Sequence, residues 1–589
     1  MSAGFSASLL ALPRSPAEAS GFTFVEDRFE EFRSGGVLWR VLPAYRDLLF
    51  DRGGLRLEDW RQDGHATLIK NGAGRTIHRV RLPGLELYVK HFRATNPVSL
   101  AHQFLRADRA RKEFDLANQL RRAGVRTIRP LAIGEIRRYG LLQESFLLTE
   151  GIANGLTLFD LIERFILAGR LADSPRLRLH LAEELAGLAA SIHEAGVEHR
   201  DLHERNVVVQ PRGNGTFRFY MLDLHELRVR GSLSWAHARR DLARMGRYFT
   251  LRTNATDRHR FFRAYALHRG FTPQEAAEKG REMELATDVS RADFWRRRDQ
   301  RAAQRTGRAT EIKRRGACAL ATPDIPMAVI EELLARPETP FDEHVARWLK
   351  MGRCTRVAEA DLPAIRRDNP FVYKQYFFKG WHEAFAALFR ANQATRAWLN
   401  GAALLLRELP TPRPLALIHK TVLGMPVTSF LLTERVPEGT GLSDYLDRVA
   451  EPAGPGERRR IVVNLVRLAA LLLRKLHERR VTHRDLKATN VLAEPTDDPA
   501  APKLWIIDLD GVQTWQSAPA KHRVQNLARF HVSFCRSPYI TRADKLRFLR
   551  DYLGSKFQDR AGWKALWQSI GRDTEAKIRR NLRKGRALY

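Results

Sequence analysis

Three cysteines in 589 residues, Cys318, Cys354 and Cys535, are too few and too scattered for a disulfide framework or a cysteine zinc site. A reducing cytoplasm is the simplest compartment for such a chain. Long apolar runs are also missing. The most apolar stretch, Ile461 to Leu473, is interrupted by Asn464 and Arg467, so it is too short and too polar to span a bilayer. Met1 to Ser20 has no basic start and only Leu9-Leu10-Ala11-Leu12 as an apolar run, a poor match to a signal peptide. Any membrane contact is therefore expected to be peripheral. Acid is the third scarcity: 67 Asp+Glu face 100 Lys+Arg, a formal net charge of +33. That excess suits an anionic partner, whether a phosphorylated substrate, an acidic membrane surface or nucleic acid. No nucleic-acid recognition motif accompanies it, so nucleic acid is the weakest of the three. With 44% hydrophobic and 28% charged residues, the chain reads as globular and long enough for several domains.

What is present is present twice. His199-Arg200-Asp201-Leu202-His203-Glu204-Arg205-Asn206 and His483-Arg484-Asp485-Leu486-Lys487-Ala488-Thr489-Asn490 both fit H-R-D-L-x-x-x-N, the catalytic loop of protein-kinase-like phosphotransferases. The two aspartates are 284 positions apart, and the same offset relates Ser145-Phe146-Leu147-Leu148-Thr149-Glu150 to Ser429-Phe430-Leu431-Leu432-Thr433-Glu434. It also relates Arg129-Pro130-Leu131-Ala132 to Arg413-Pro414-Leu415-Ala416, and Lys90 to Lys374. Downstream, Leu242-Ala243-Arg244 matches Leu527-Ala528-Arg529 one residue out of step. A repeat this long means duplicated domains rather than a solenoid.

Each half runs from strands to helices. A strand carrying lysine is followed by a helix, then by strands ending at Thr-Glu. A long apolar helix comes next (Leu177 to Ala195, Arg459 to Glu478), then the catalytic loop and a strand ending in aspartate (Phe217 to Asp223, Lys503 to Asp508). Strands first and helices later predict an α+β fold of two tandem bilobal protein-kinase-like domains. The expected division is an N-terminal extension (1–60), a first domain (61–290), a basic linker (291–330) and a second domain (331–589). The linker rests on nine basic residues between Phe294 and Gly316, against Asp299 and Glu311. Lys577 to Arg586 is basic too.

Phosphoryl transfer asks a protein for positioned phosphates, magnesium and a group that orients the attacking hydroxyl. In the first copy Lys90 ends a strand and is suited to the ATP phosphates, with Glu113 as its ion-pair partner. Asp201 is the candidate base. Asn206, five residues on, and Asp223, after the apolar run Phe219 to Leu222, are the candidate Mg²⁺ ligands. Gly72 and Gly74 offer a weak phosphate-covering turn; a plain hairpin is nearly as good a reading. Glu150 ends the Leu-Leu-Thr-Glu segment between the lobes. The magnesium motif reads Asp223-Leu224-His225, so an activation-loop flip at a glycine hinge is not expected. No Ala-Pro-Glu follows at a suitable distance, so the segment that holds peptide substrates is missing.

The second copy repeats Lys374, Asp485, Asn490 and Asp508, with Glu434 in place of Glu150. Lys487 stands where many kinases place a lysine on the γ-phosphate; the first copy has His203 there. Two features are eroded. Glu113 faces Ala397, so Glu408 would serve Lys374 only if the helix were differently aligned, and the turn before Lys374 keeps the single glycine Gly352.

Both halves resemble the lipopolysaccharide kinase family, the bacterial heptose and Kdo kinases of the inner core. The likeness is carried by Asp223-Leu224-His225 after a strand, the Leu-Leu-Thr-Glu segments, Thr411-Pro412-Arg413-Pro414-Leu415-Ala416, and Ile507-Asp508-Leu509-Asp510-Gly511-Val512. It covers roughly residues 65–255 and 350–535. The resemblance implies ATP-dependent phosphorylation of a sugar hydroxyl on an anionic glycolipid at the cytoplasmic face of the inner membrane. It makes Asp201 and Asp485 the bases and Asp223 and Asp508 metal ligands. Two other readings stand beside it: a protein Ser/Thr kinase of atypical type, and a nucleotide-binding pseudokinase scaffold.

Overall fold

The computed structural model describes residues 27–72, 74–93, 109–139, 141–167, 174–212, 216–303, 309–352, 354–362, 370–378, 385, 390–515 and 517–585. Met1 to Ser20, Ala73, Arg305, Arg308 and Arg586 lie outside them. The chain divides into two compact units, Met1–Arg291 and Ala292–Tyr589.

The first unit opens on a seven-stranded antiparallel sheet. Its spatial order is Glu30–Ser34, Val37–Val41, Pro130–Arg138, Leu141–Glu150, Leu85–Arg93, Arg75–Leu82, Ala66–Gly72. Period-two alternation sorts the faces. On Leu85–Arg93, Leu87 and Val89 are fully buried and join Trp39, Val41, Leu131 and Leu148 in one core. Lys90 and Phe92 point to the opposite face, where helix Arg109–Arg122 buries Ala110 and Phe114 against Phe92, Ile133 and Leu147. The lysine is therefore delivered beneath that helix. A helical lobe follows, centred on Pro175–Glu194, which starts with proline in its first turn and Ser174 as its cap.

The second unit repeats this plan. Its sheet order is Thr310–Arg314, Ala317–Ala321, Pro414–Val422, Met425–Glu434, Phe371–Phe377, Thr355–Ala360, Val345–Met351. Helix Gln393–Leu406 corresponds to Arg109–Arg122 at an unbroken offset of 284 at both ends. Gly401 in this helix makes a close approach necessary: a Cβ there would lie 2.4 Å from Pro414 Cγ and 3.3 Å from Leu509 Cδ1. The helix thus leans directly on the turn that carries the metal-motif residues. The mixed fold class expected from the order of strands and helices is the one observed, as two repeated kinase-like units.

Two segments differ from expectation. The described part of the expected extension, 27–60, contributes the edge hairpin of the first sheet: Val37, Trp39, Val41, Leu49 and Trp60 are buried in its core. The described parts of the expected linker, 291–303 and 309–330, are structured as well. Helix Pro273–Ala303 runs through the boundary between units, and Thr310–Arg314 and Ala317–Ala321 form the edge hairpin of the second sheet. Its basic residues obscured an alternating pattern. Ile312, Ala317, Ala319 and Ala321 face the core, whereas Lys313, Arg314 and Arg315 sit exposed at the turn. No helix among the described residues is long and apolar enough to cross a membrane.

Candidate active site

The catalytic loops are built alike. In each, the backbone N–H of the aspartate donates to the histidine Nδ1 two residues earlier, at 3.2 Å for both Asp201–His199 and Asp485–His483. Asn206 Nδ2 donates to the Asp201 carbonyl at 3.1 Å, and Asn490 Nδ2 to the Asp485 carbonyl at 2.8 Å. Spending the amide N–H in this way orients the amide oxygen away from the loop. The residue two after the aspartate reaches back to it: His203 Nε2 lies 3.5 Å from Asp201 Oδ2, and Lys487 Nζ lies 3.4 Å from Asp485 Oδ2.

Asp223 and Asp508 follow strands Phe217–Met221 and Lys503–Ile506. Each strand is clamped by a threonine from the segment before the lobe boundary: Thr127 Oγ1 donates to Met221 O and Thr411 Oγ1 to Ile506 O, both at 2.8 Å. Both aspartates then adopt left-handed backbone, φ 56° and 61°. Aspartate tolerates that region better than most residues. A 3-10 turn follows in each unit, and a short strand then pairs back onto the catalytic loop, Leu227 opposite His199 and Val512 opposite His483. The segment after the metal motif is therefore pinned by backbone pairing in both units.

The lysines part company. Lys90 forms an ion pair with Glu113, whose side chain is 1% exposed. Lys374 has no acid on its helix, because Ala397 is packed in the core at the Glu113 position. Glu408 does not stand in: it lies past the end of Gln393–Leu406 in left-handed backbone, where the first unit has Gly124. Lys374 Nζ instead donates to Asp508 Oδ1 at 2.7 Å and lies 4.8 Å from the ring of Tyr376. Burial works against the Lys374 ammonium, but Tyr376 and Asp508 outweigh it and hold its pKa above the usual lysine range. Burial also opposes the Asp508 carboxylate, yet Lys374 draws its pKa below the usual range. Asp510 is pushed up, by burial and by the neighbouring Asp508 charge. Tyr376, which replaces Phe92, is pushed up to about 12 by burial and stays a phenol at neutral pH.

The remaining predicted residues lie on the seven-stranded sheets or at a hairpin tip between their strands. Gly72 and Gly74 form a hairpin tip between Ala66–Gly72 and Arg75–Leu82. Gly74 has φ 91°, a conformation that requires glycine, and its carbonyl accepts from Arg93 N at the end of the lysine strand. Glu150 and Glu434 end their strands with N–H groups donated to the Arg129 and Arg413 carbonyls, and their carboxylates lie 3.7 and 3.2 Å from the same arginines.

An anchoring layer escaped the sequence reading. The His199 N–H donates to Asp241 Oδ2 at 2.6 Å, and Asp241 is fully buried. The second unit has Asn526 there, which accepts from His483 N at 3.0 Å and donates to His483 O at 2.8 Å. Both anchors directly precede the repeated Leu-Ala-Arg triads, which was the available signal. Behind them, His193 and His477 bond to the hydroxyls of Tyr265 and Tyr552 at 2.8 Å.

These buried imidazoles set an acid limit. Burial lowers His199, His477 and His531 from 6.5 to about 4, and lowers His193 and His483 as well. Between pH 6.5 and 4 the unfolded chain takes up protons that the folded chain refuses, so stability falls as pH falls through that window. Urea unfolding is expected to show a loss beginning below about pH 6.5, before most carboxylates titrate. His477→Gln is expected to flatten that slope; an unchanged slope would exclude His477 as a contributor.

A model of the lipopolysaccharide kinase (Kdo/WaaP) family matches residues 70–265 and again residues 369–552, together more than half of the chain. The chain belongs to this family. It carries the family's matched region twice, in agreement with the two structural repeats. Among curated relatives, the lipopolysaccharide core heptose(I) kinase WaaP of Pseudomonas aeruginosa is 30% identical over 203 residues, 33% of this chain and 74% of that protein. The 3-deoxy-D-manno-octulosonic acid kinase of Vibrio vulnificus is 29% identical over 156 residues, 26% of this chain and 61% of its own length. The heptose(I) kinase WaaP of Escherichia coli is 28% identical over 234 residues, 38% of this chain and 75% of that protein.

Proposed function

We propose that this protein transfers the γ-phosphate of ATP to a sugar hydroxyl of the lipopolysaccharide inner core, or of a closely related anionic glycolipid. The observation that carries this reading is the paired cradle: in both units a loop aspartate, a loop asparagine and a left-handed aspartate occupy matching positions in a family of sugar kinases. Asp201 and Asp485 accept the hydroxyl proton as the oxygen attacks phosphorus. Lys90 and Lys374 neutralise phosphate oxygens, and Lys487 or His203 adds a further donor close to the base. The glycine hairpin at Gly72 and Gly74 covers the phosphates. Glu150 and Glu434 mark the lobe boundary, where backbone carbonyls are suited to the adenine.

The donor set fits Mg²⁺. Asn206 with Asp223, and Asn490 with Asp508, are oxygen donors of the hard type that magnesium selects, with phosphates and water completing its shell. When bound, Mg²⁺ supplies charge neutralisation on the β- and γ-phosphates. The charge of +33 suits an anionic acceptor and peripheral residence at the cytoplasmic face of the inner membrane.

A second reading applies to the second unit alone. The Lys374–Asp508 pair favours a nucleotide-holding unit whose lysine must exchange partners before transfer. Incubation with labelled ATP, inner-core lipopolysaccharide and a generic protein acceptor tests the main reading. Label is expected on the lipopolysaccharide; label on protein alone overturns it, and ATP binding without transfer favours a scaffold.

A further inference from the structure

Beside the catalytic loop of the second unit lies a cavity of about 340 Å³ that the transfer chemistry does not use. Arg390, Arg396 and Arg484 line it, with Asn392 at the start of helix Gln393–Leu406 and the aromatic rings of Tyr376 and Phe377. No carboxylate lines it among the described residues. Arg484 projects from the H-R-D loop itself. Neither its side chain nor that of Arg390 has a hydrogen-bond or ion-pair partner among the described residues, and both residues are exposed. Arg396 is held through Nη1 by the Ala391 carbonyl at 3.0 Å, while its buried Nε has no partner among the described residues. The charge of Asp510, in the metal motif, also acts on Arg396. Three guanidinium groups around one hollow repel one another, and a bound dianion relieves that repulsion with charge-assisted, bidentate hydrogen bonds.

The duplication adds an independent observation. Counting back 284 positions from Arg390, Arg396 and Arg484 gives Arg106, Lys112 and Arg200. All three positions are basic in both copies, although the copies differ beside them, with Glu113 and Phe92 in the first against Ala397 and Tyr376 in the second. Positive charge here is common to both copies, whereas the lysine's ion-pair partner is not. A cavity of this size lined by both arginines and aromatic residues matches a sugar carrying a phosphate.

We propose that this cavity binds a phosphate monoester already present on the acceptor, so that the second unit selects a phosphorylated sugar. A phosphotransfer must then precede it on the same acceptor. The inference rests on the sugar-kinase reading for the identity of the ligand, and its test reads binding rather than transfer, so the two can fail separately. Delipidated inner-core oligosaccharide, intact or stripped of phosphate with hydrofluoric acid, is titrated by calorimetry into the full chain saturated with ADP. The wild type is expected to bind the intact form at least about 10-fold more tightly. R390Q/R396Q, and to a smaller degree R390Q alone, are expected to remove one phosphate-discriminating site per chain while ADP affinity is retained. Equal affinity for both oligosaccharides, or discrimination unchanged in the double variant, overturns the proposal. Mass spectrometry that finds a phosphorylated side chain of the protein itself, together with oligosaccharide discrimination that appears only after phosphatase treatment of the protein, assigns the cavity to that side chain and overturns the acceptor reading.

Discussion

Replacing Asp201 and Asp485 together by alanine is expected to lower phosphotransfer to lipopolysaccharide by about 10²–10⁴-fold. Both side chains are 56% exposed, and the side chains that reach back to them, His203 and Lys487, stand 3.5 and 3.4 Å away. Truncation therefore removes little packing, and the melting temperature should barely move while turnover collapses. The loops keep their shape because their hydrogen bonds run through backbone atoms of the aspartates, not through the carboxylates. The single variants should differ. The first unit pairs Lys90 with a buried glutamate of helix Arg109–Arg122. The second holds Lys374 on Asp508 itself. Asp201→Ala is accordingly expected to cost the larger share of activity. Transfer from labelled ATP checks this, and a double variant that still transfers phosphate would show that these aspartates are not the bases.

Asp508→Asn and Asp223→Asn should both abolish transfer in their own unit, yet differ in stability. Asparagine accepts left-handed backbone as aspartate does, so neither change strains the turn. Asp508→Asn leaves the Lys374 ammonium beneath Tyr376 without its carboxylate. Breaking a fully buried pair costs about 3–5 kcal/mol. Asp508 is 37% exposed, and solvent screening reduces the expected loss to about 1–2 kcal/mol. Asp223→Asn leaves the Lys90–Glu113 pair intact and is expected to cost less than about 0.5 kcal/mol. Urea unfolding of the two variants reads the difference directly. Equal losses would mean that the Lys374–Asp508 pair contributes nothing to folding.

Much of this architecture was legible in advance because the duplication served as an internal ruler. The offset of 284 aligned helix Gln393–Leu406 with Arg109–Arg122 and placed Ala397 at the Glu113 position without a structure. The edge hairpins were not legible. Their alternation extends over five-residue strands, and charged turn residues such as Lys313 to Arg315 dominate the local composition. Nor was the anchoring layer. Asp241 and Asn526 lie 42 and 43 residues beyond the histidines they hold, and an acid in one copy with an amide in the other does not announce a shared task. Both can accept one backbone N–H bond, which is the property that counts there.

Repeat and motif by themselves determined that the chain is a tandem of α+β kinase-like units, and its short motifs resembled those of the lipopolysaccharide kinase family, because those properties depend on residue order and short-range spacing. Which acid each lysine meets was decided only by the tertiary structure. Ala397 told that a glutamate was missing; it did not tell what replaced it. The answer depends on how closely a helix leans on a turn more than 100 residues away, where Gly401 admits Pro414 and Leu509 and Asn400 bonds to the Leu509 carbonyl at 2.7 Å. That close packing sets Asp508 within reach of Lys374, and the strength of a buried ion pair follows from such tenths of an ångström rather than from sequence spacing.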